Sequence, residues 1–216
     1  MMRSLRAAAV QMVSSTEPET NIATMKRLVR EAAEQGADWV LLPEYWPLMG
    51  KNDTDKLAFA EPLDDGRVSE TCHTRFQTAL SETARECGVV LFGGTVPLQS
   101  KNADKVMNTM LVYDRDGNRV GLYHKMHLFG FSGLGERYAE ADTILAGSDV
   151  PKLCVDQLLV PFFENNAHFF FLVCIKMAIC PKPAAPFGAV STNKLSPFMS
   201  TEMSGLLALK QYGVIL

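Results

Sequence analysis

One carboxylate, Glu44, stands where an α/β protein can carry out acid–base chemistry. It follows residues 39–42, an apolar run typical of a strand that is buried on both faces. Ligands of open α/β sheets usually bind just past the carboxyl ends of such strands, and a desolvated carboxylate is a stronger base than a hydrated one. Glu44 is therefore a candidate general base. A glutamate that simply begins a surface loop is the alternative interpretation.

Lys125 is the second candidate, although a lone lysine is usually a solvated one. It ends the second strand of a predicted hairpin and is flanked by His124 and His127. Two histidines could ligate a metal, but three residues apart on an extended segment they point to opposite faces. The glycines within residues 92–95 lack the spacing of a phosphate-binding loop. The sequence therefore predicts no metal, nucleotide or other cofactor.

Glu44 and Lys125 belong to a set of five sequence blocks whose order and spacing are more specific than any single block. The blocks are AAVQM at residues 8–12, LLPEY at 41–45, FGGT at 92–95, VMNT at 106–109 and YHKMHLF at 123–129. Together they resemble the nitrilase superfamily of carbon–nitrogen hydrolases, and most closely its bacterial and Nit-like amidase branches. The resemblance covers about residues 5–150.

The resemblance implies an α/β fold, a four-layer α-β-β-α sandwich, and a Glu-Lys-Cys centre that hydrolyses amides without a cofactor. Glu44 matches the family's general base, and Lys125 matches the lysine that stabilises the oxyanion. Glu140 matches a second glutamate, which orients the lysine and the substrate. In this chemistry a cysteine thiolate attacks the amide carbon, the glutamate passes the thiol proton to the departing ammonia, and water cleaves the thioester.

The nucleophilic cysteine is the one member of this centre that the sequence does not supply. The resemblance implies a cysteine roughly forty residues beyond the lysine, at a sharp strand-to-helix turn, but that position is Asn165. Cys174 follows the apolar residues 169–173 at too long a spacing, and a buried structural thiol is the alternative. The sequence therefore predicts little or no hydrolase activity for this chain. An inactive variant that only binds a ligand or a full-length partner is the alternative function.

The predicted elements that must position these residues alternate between strands and helices. Apolar runs and helical periodicity predict a strand at 5–12, a helix at 18–36, a strand at 39–42, a helix at 69–86 and a strand at 89–92. A turn sequence at 114–118 then joins the strands 106–113 and 119–123 as a hairpin. This order predicts an α/β layer structure with a mixed sheet.

The composition changes near residue 150. We interpret residues 1–150 as the N-terminal part of a carbon–nitrogen hydrolase domain and residues 151–216 as an atypical tail. The tail holds more than half of the phenylalanines and no arginine, and it lacks long helical or alternating periodicity. The second half of the sandwich is therefore predicted to be incomplete or atypical.

Composition also limits the class of partner. A net charge of −3 and a pI near 5.8 argue against nucleic acid. Five cysteines, an odd number without the spacing of a disulfide scaffold, indicate reduced thiols and a cytoplasmic location. The longest apolar stretch, residues 169–180, is shorter than the roughly 20 residues of a membrane span. The expected partner is a small amide, for which the resemblance suggests a dicarboxylate monoamide, and a homo-oligomer is left open.

Overall fold

The computed structural model describes residues 5–64, 74–133 and 135–149, together with four strand segments in the remainder of the chain. Two α-helices, Pro18–Glu34 (α1) and Arg75–Cys87 (α2), lie in this part, with short 3-10 helices at Asp53–Phe59 and Glu140–Asp142. The strands are Ala7–Gln11 (β1), Trp39–Leu41 (β2), Val90–Phe92 (β3), Val96–Gln99 (β4), Val106–Tyr113 (β5), Arg119–His124 (β6), Gly130–Gly133 (β7), Glu136–Ala139 (β8), Lys152–Val155 (β9), Leu158–Pro161 (β10), Ala178–Ile179 (β11) and Gly213–Ile215 (β12).

The main sheet is mixed. Strands β1, β2 and β3 lie side by side in that order and run parallel. Parallel neighbours need a crossover connection, which α1 and α2 provide. Strand β5 runs antiparallel to β3 and then to β4, and it forms a hairpin with β6. Strand β12 pairs with β1, β9 to β11 form a separate three-stranded sheet, and β7 pairs with β8.

Both helices cover the same face of the main sheet. Helix α1 begins at Pro18, a residue favoured in a first helical turn because its missing N–H is not needed there. The apolar stripes of the two helices and the strand side chains beneath them form one core, which includes Met25, Leu28, Val29, Phe76, Leu80, Ala8, Val40, Leu91 and Leu111. Of the helices that the structure describes, none combines the length and the apolar character needed to cross a membrane.

The opposite face of the sheet is also buried around β2 and β3, whereas Ala7 and Ala9 of β1 are exposed. Trp39 and Phe92 are 1% and 3% exposed on this face, and they pack with Met110 and Tyr123. Val155 of β9 joins the same cluster, so the three-stranded sheet contributes to the cover. The continuous apolar runs of β2 and β3 follow from this double burial, because neither face of these strands meets water.

The fold class expected from the sequence is confirmed for the part of the chain that the structure describes. Strands β1 to β3, helix α1 and the β5–β6 hairpin lie where the sequence places them. The helix expected over 69–86 begins at Arg75 in the structure, and residues 69–73 lie outside the described ranges. Cys174 and Asn165 also lie outside them.

Several strands were not predicted. Strand β4 has four residues, one of them Pro97, and β7 and β8 carry mostly exposed side chains without apolar alternation. The tail contributes β9 to β12, each two to four residues long, although its sequence was predicted to lack the strands of the second half. Periodicity cannot be measured over so few residues, so these strands leave no pattern in the sequence.

Candidate active site

Three chain segments bring polar side chains to one edge of the main sheet. Glu44 follows the carboxyl end of β2, and Lys125 follows the end of β6. Because β5 runs antiparallel to both β3 and β6, its first residues lie at this same edge. The register confirms the placement, since the Lys125 backbone N–H donates to the carbonyl of Asn108 on β5 at 2.8 Å.

The ammonium of Lys125 lies between two glutamates. Its Nζ is 3.1 Å from Glu44 Oε1, and it is 3.0 Å and 2.9 Å from the two carboxylate oxygens of Glu140. The side chains of Lys125, Glu44 and Glu140 are 10%, 12% and 4% exposed. Charges this far from water are tolerated when they are paired and hydrogen-bonded. The structure thus brings together all three site residues that were predicted from the sequence.

Glu140 is held in place by the base of the β7–β8 hairpin. Its Oε2 accepts a hydrogen bond from the Phe129 backbone N–H at 2.7 Å, and its own N–H donates to the Phe129 carbonyl at 2.9 Å. Phe129 directly precedes β7 and Glu140 directly follows β8, so the pairing of these two strands holds Phe129 and Glu140 next to each other. Glu140 is 3% exposed and therefore keeps its carboxylate on Lys125 instead of turning to solvent.

The two carboxylates determine the charge of the lysine. Burial by itself lowers the pKa of Lys125, but the negative charge of Glu44 and the hydrogen bond and charge of Glu140 outweigh it, and the net pKa is raised. Lys125 is therefore an ammonium at neutral pH. A fixed ammonium in a water-poor site can stabilise negative charge that develops on a substrate oxygen.

The loop that carries Glu44 is anchored to the loop after β3. Tyr45 has a positive φ of 50°, and its N–H donates to Thr95 Oγ1 at 3.0 Å. The indole N–H of the fully buried Trp46 donates to the Gly93 carbonyl at 2.9 Å. These contacts hold the turn that directly follows Glu44, so the carboxylate is presented by a rigid support.

The hydroxyl of Tyr45 is buried beside the charged groups. Burial raises the pKa of Tyr45, and the charges of Glu44 and Glu140 raise it further, so the hydroxyl stays protonated. The Nζ of Lys56 lies 5.3 Å from the centre of the Tyr45 ring. Among the residues that the structure describes, the hydroxyl has no hydrogen-bond partner.

Replacing Tyr45 with phenylalanine is expected to leave the free energy of unfolding unchanged or to raise it by up to about 1 kcal/mol, because a buried polar group without a partner costs about 1–3 kcal/mol. Urea denaturation measures the difference. Tyr123→Phe is the matched control, since its hydroxyl accepts the Met126 N–H at 3.3 Å and its loss should destabilise the chain. If Tyr45→Phe is the more destabilising of the two, the hydroxyl has a partner and this account of it is wrong.

Sequence reasoning did not single out Asn108 as a site residue. Its amide Nδ2 donates to Glu44 Oε1 at 2.7 Å, and the residue is fully buried. The signal in the sequence was an amide within β5, a mostly apolar and buried strand in which an unpaired polar side chain is costly. Its partner is 64 positions away in the chain. The pairing therefore cannot be read without the fold.

The cysteine whose side chain the structure describes does not lie at this edge. Cys87 ends α2, just before the amino end of β3, whereas Glu44 follows the carboxyl end of the parallel strand β2. Burial raises the pKa of the Cys87 thiol, which makes its thiolate less available. The side chains of the other four cysteines, Cys174 among them, lie outside the described part of the chain.

The two histidines that raised the question of a metal do not form a metal cluster. Nδ1 of His124 is 2.8 Å from Thr109 Oγ1, and burial lowers the pKa of His124, so its ring is neutral. Within the described residues there is no group of three or more His, Cys, Asp or Glu side chains arranged to hold a metal ion.

Comparison with known proteins agrees with the fold and with the resemblance noted in the sequence. The model of the carbon-nitrogen hydrolase family matches residues 6–181, and the chain belongs to this family. The omega-amidase NIT2 of Danio rerio is 32% identical over 153 residues, which are 69% of this chain and 50% of the relative. This chain thus spans about half the length of the curated relative it matches.

Solved structures of the nitrilase superfamily share the fold. Nit3 of Saccharomyces cerevisiae, a member of branch 10 of the superfamily, aligns with a TM-score of 0.58 at 21% identity, over 70% of this chain and 52% of its own. An amidase from Nesterenkonia sp. aligns with a TM-score of 0.57 at 21% identity, over 73% of this chain and 54% of its own. A further structure of that amidase shows the Michael addition of acrylamide to its active-site cysteine.

Proposed function

We propose that this chain carries the amide-binding and proton-transfer part of a carbon–nitrogen hydrolase centre, which cleaves a small amide and releases ammonia. The observation that carries the proposal is the Lys125 ammonium, fixed within 3.1 Å of Glu44 and 2.9 Å of Glu140 at the carboxyl edge of a sheet. A buried Glu-Lys-Glu cluster of this kind contributes little to stability for its cost in desolvation, which favours a role in chemistry.

Each residue has one role in this proposal. Lys125 donates a hydrogen bond to the carbonyl oxygen of the amide and stabilises the oxyanion as the carbon becomes tetrahedral. Glu44 takes the proton of the attacking thiol and gives it to the departing nitrogen, which leaves as ammonia. Glu140 keeps the ammonium in position and does not exchange protons with the substrate. The resulting thioester is cleaved by water, which Glu44 activates in the same way.

The substrate class is proposed from the relatives. Several of the curated relatives are omega-amidases, and their name places the scissile amide at the end of a chain. A dicarboxylate monoamide, with an amide at one end and a carboxylate at the other, is the corresponding substrate class for this chain. The assignment of the nucleophile to a cysteine rests on the same relationship, with Cys174 as the candidate named from the sequence.

A second function, binding without turnover, is favoured by one specific observation. Cys87, the cysteine whose side chain is described, lies at the opposite edge of the sheet from Glu44, and the position expected for the nucleophile is Asn165. Losing the nucleophile of a cooperating set costs about as much rate as losing the whole set. A chain without it still presents Lys125 and its two carboxylates to an amide.

Ammonia release from a panel of dicarboxylate monoamides and N-carbamoyl compounds separates the two functions. Turnover that is abolished by Cys174→Ser and retained in Cys87→Ser identifies the hydrolase and its nucleophile. No ammonia release, combined with saturable binding of the same amides in calorimetry, identifies the binding function. The proposal fails if the amides neither bind nor react, or if Lys125→Met turns them over at the unaltered rate.

A further inference from the structure

Asn108 contacts both Glu44 and Lys125. Its side-chain Nδ2 donates to Glu44 Oε1 at 2.7 Å, and its backbone carbonyl accepts the Lys125 N–H at 2.8 Å. The residue is 0% exposed, and it lies on β5, which pairs with β3, β4 and β6. Burial leaves this side chain little freedom to move, so its amide can fix the orientation of the neighbouring carboxylate.

Both donors to Glu44 reach the same oxygen. Oε1 accepts from Asn108 at 2.7 Å and from Lys125 at 3.1 Å. Among the residues that the structure describes, Oε2 accepts no hydrogen bond. A carboxylate oxygen that already accepts two hydrogen bonds is a weaker base than its unbonded partner.

We propose that Asn108 is a positioning residue that pins Oε1 of Glu44 and thereby reserves Oε2 as the atom that accepts and returns the proton. The inference rests on the proposed function in assigning a proton to Glu44. The neutral amide is the chemistry that this position requires, because it supplies a donor without a second positive charge. A cation would compete with Lys125, and a carboxylate would repel Glu44.

Two substitutions at Asn108 distinguish positioning from packing. N108L keeps the branched shape and the number of side-chain heavy atoms and removes the donor at every pH. N108D keeps them too, but its carboxylate repels Glu44 when ionised and donates a hydrogen bond when protonated. A misplaced catalytic group costs about 100-fold in rate. We therefore expect kcat for ammonia release to fall by roughly that factor in N108L at all pH values, with little change in KM.

The pH profile gives the sharper readout. The ratio of N108D to wild-type kcat should rise as the pH is lowered, because protonation restores the donor, and the ratio for N108L should stay flat. A purely structural role predicts parallel profiles for the two variants, which would overturn the proposal. Gln77→Leu is the matched control, since Gln77 is a buried amide that donates to the buried Glu61 at 3.1 Å, away from the site. It should lower the melting temperature and leave kcat of the folded protein unchanged.

A crystal structure of N108L decides the matter if the wild-type chain releases no ammonia. That result would count against the proposed hydrolase function but not against the role of Asn108. The proposal expects the Glu44 carboxylate to rotate so that Oε1 and Oε2 no longer keep their separate environments. A Glu44 side chain in the orientation of the wild type, with Oε1 still 3.1 Å from Lys125 Nζ, overturns it.

Discussion

Replacing Lys125 with methionine is expected to lower the free energy of unfolding by about 3–5 kcal/mol, the cost typical of removing one partner from a buried ion pair. Glu44 and Glu140 would then face each other at 12% and 4% side-chain exposure without the ammonium between them. Methionine fills a similar volume, so the decrease in the free energy of unfolding comes from the lost charge and not from a cavity. Ammonia release should fall by about 100- to 1,000-fold, as for other oxyanion donors. Urea denaturation at neutral pH measures the first effect.

The pH dependence of this loss follows from the raised pKa of Lys125. A pKa above the ordinary value of 10.5 means that the folded state holds the proton more tightly than the unfolded state. The stabilisation is therefore fully present below pH 10.5 and disappears as the pH rises through the folded-state pKa. Wild-type stability should decline over that alkaline range more steeply than that of Lys125→Met.

Lys26→Met is the matched control for both measurements. Lys26 forms an ion pair with Glu82 at 3.1 Å between α1 and α2, with side chains 31% and 41% exposed. Exposed pairs of this kind contribute about 0–1 kcal/mol. If Lys125→Met lowers the free energy of unfolding no more than Lys26→Met does, the lysine does not stabilise the buried carboxylates and this description of the site is wrong.

Replacing Gly94 with alanine is expected to displace the loop that carries Glu44. Gly94 has a φ of +51°, and a Cβ added there would overlap the Pro43 carbonyl oxygen and lie 2.9 Å from that of Leu42. A left-handed backbone at a residue with a side chain costs about 1–2 kcal/mol, and the overlap adds about 1–3 kcal/mol. The expected loss of stability is therefore about 2–5 kcal/mol. Loss of site geometry should accompany it, because Pro43 immediately precedes Glu44.

Gly88→Ala is the matched control, because it places a side chain on a left-handed backbone without any atomic overlap. Gly88 has a φ of +65° at the end of α2, but nothing lies within 4 Å of the position that its Cβ would take. Gly88→Ala should lose only about 1–2 kcal/mol, the cost of the left-handed backbone, and keep ammonia release or amide binding unchanged. Equal losses in the two variants would show that close approach at Gly94 does not support the Glu44 loop.

Strands β2 and β3 of the main sheet could be predicted because each lies in a run of consecutive apolar residues. Trp39 and Val40 point to opposite faces, and both are almost fully buried, so an uninterrupted apolar run was required. Helix α1 could be predicted because Met25, Leu28, Val29 and Ala32 repeat at helical spacing and are all buried. Strand β9 includes Lys152 and β11 has only two residues, so neither offers such a run.

The site was predictable only in part. The sequence blocks placed Glu44 and Lys125 in one family centre, and spacing added Glu140. The structure brings their charged groups within hydrogen-bonding distance. Their catalytic roles remain predictions. Asn108 and Tyr45 lay inside the same blocks, yet their contacts depend on loops that meet only in the folded chain. An amide on β5 looks the same in the sequence whether it bonds to Glu44 or to a water molecule.

The nucleophile could not be predicted for a different reason. The sequence that follows Lys125 departs from the family's pattern where the cysteine belongs, and the candidate Cys174 lies outside the part of the chain that the structure describes. Spacing is the only guide to such a residue before the fold is known. Here that spacing leads to Asn165, which cannot form a thioester.

A crystal structure of the chain soaked in glutaramate, a dicarboxylate monoamide, shows whether Lys125 and its two glutamates form the site that binds a small amide. We expect the amide oxygen, or the oxygen of the acyl group derived from it, to lie about 3 Å from Lys125 Nζ, within hydrogen-bonding distance. The reacting carbon should face Oε2 of Glu44. Glutaramate bound elsewhere, or absent from the site at a saturating concentration, would contradict the account.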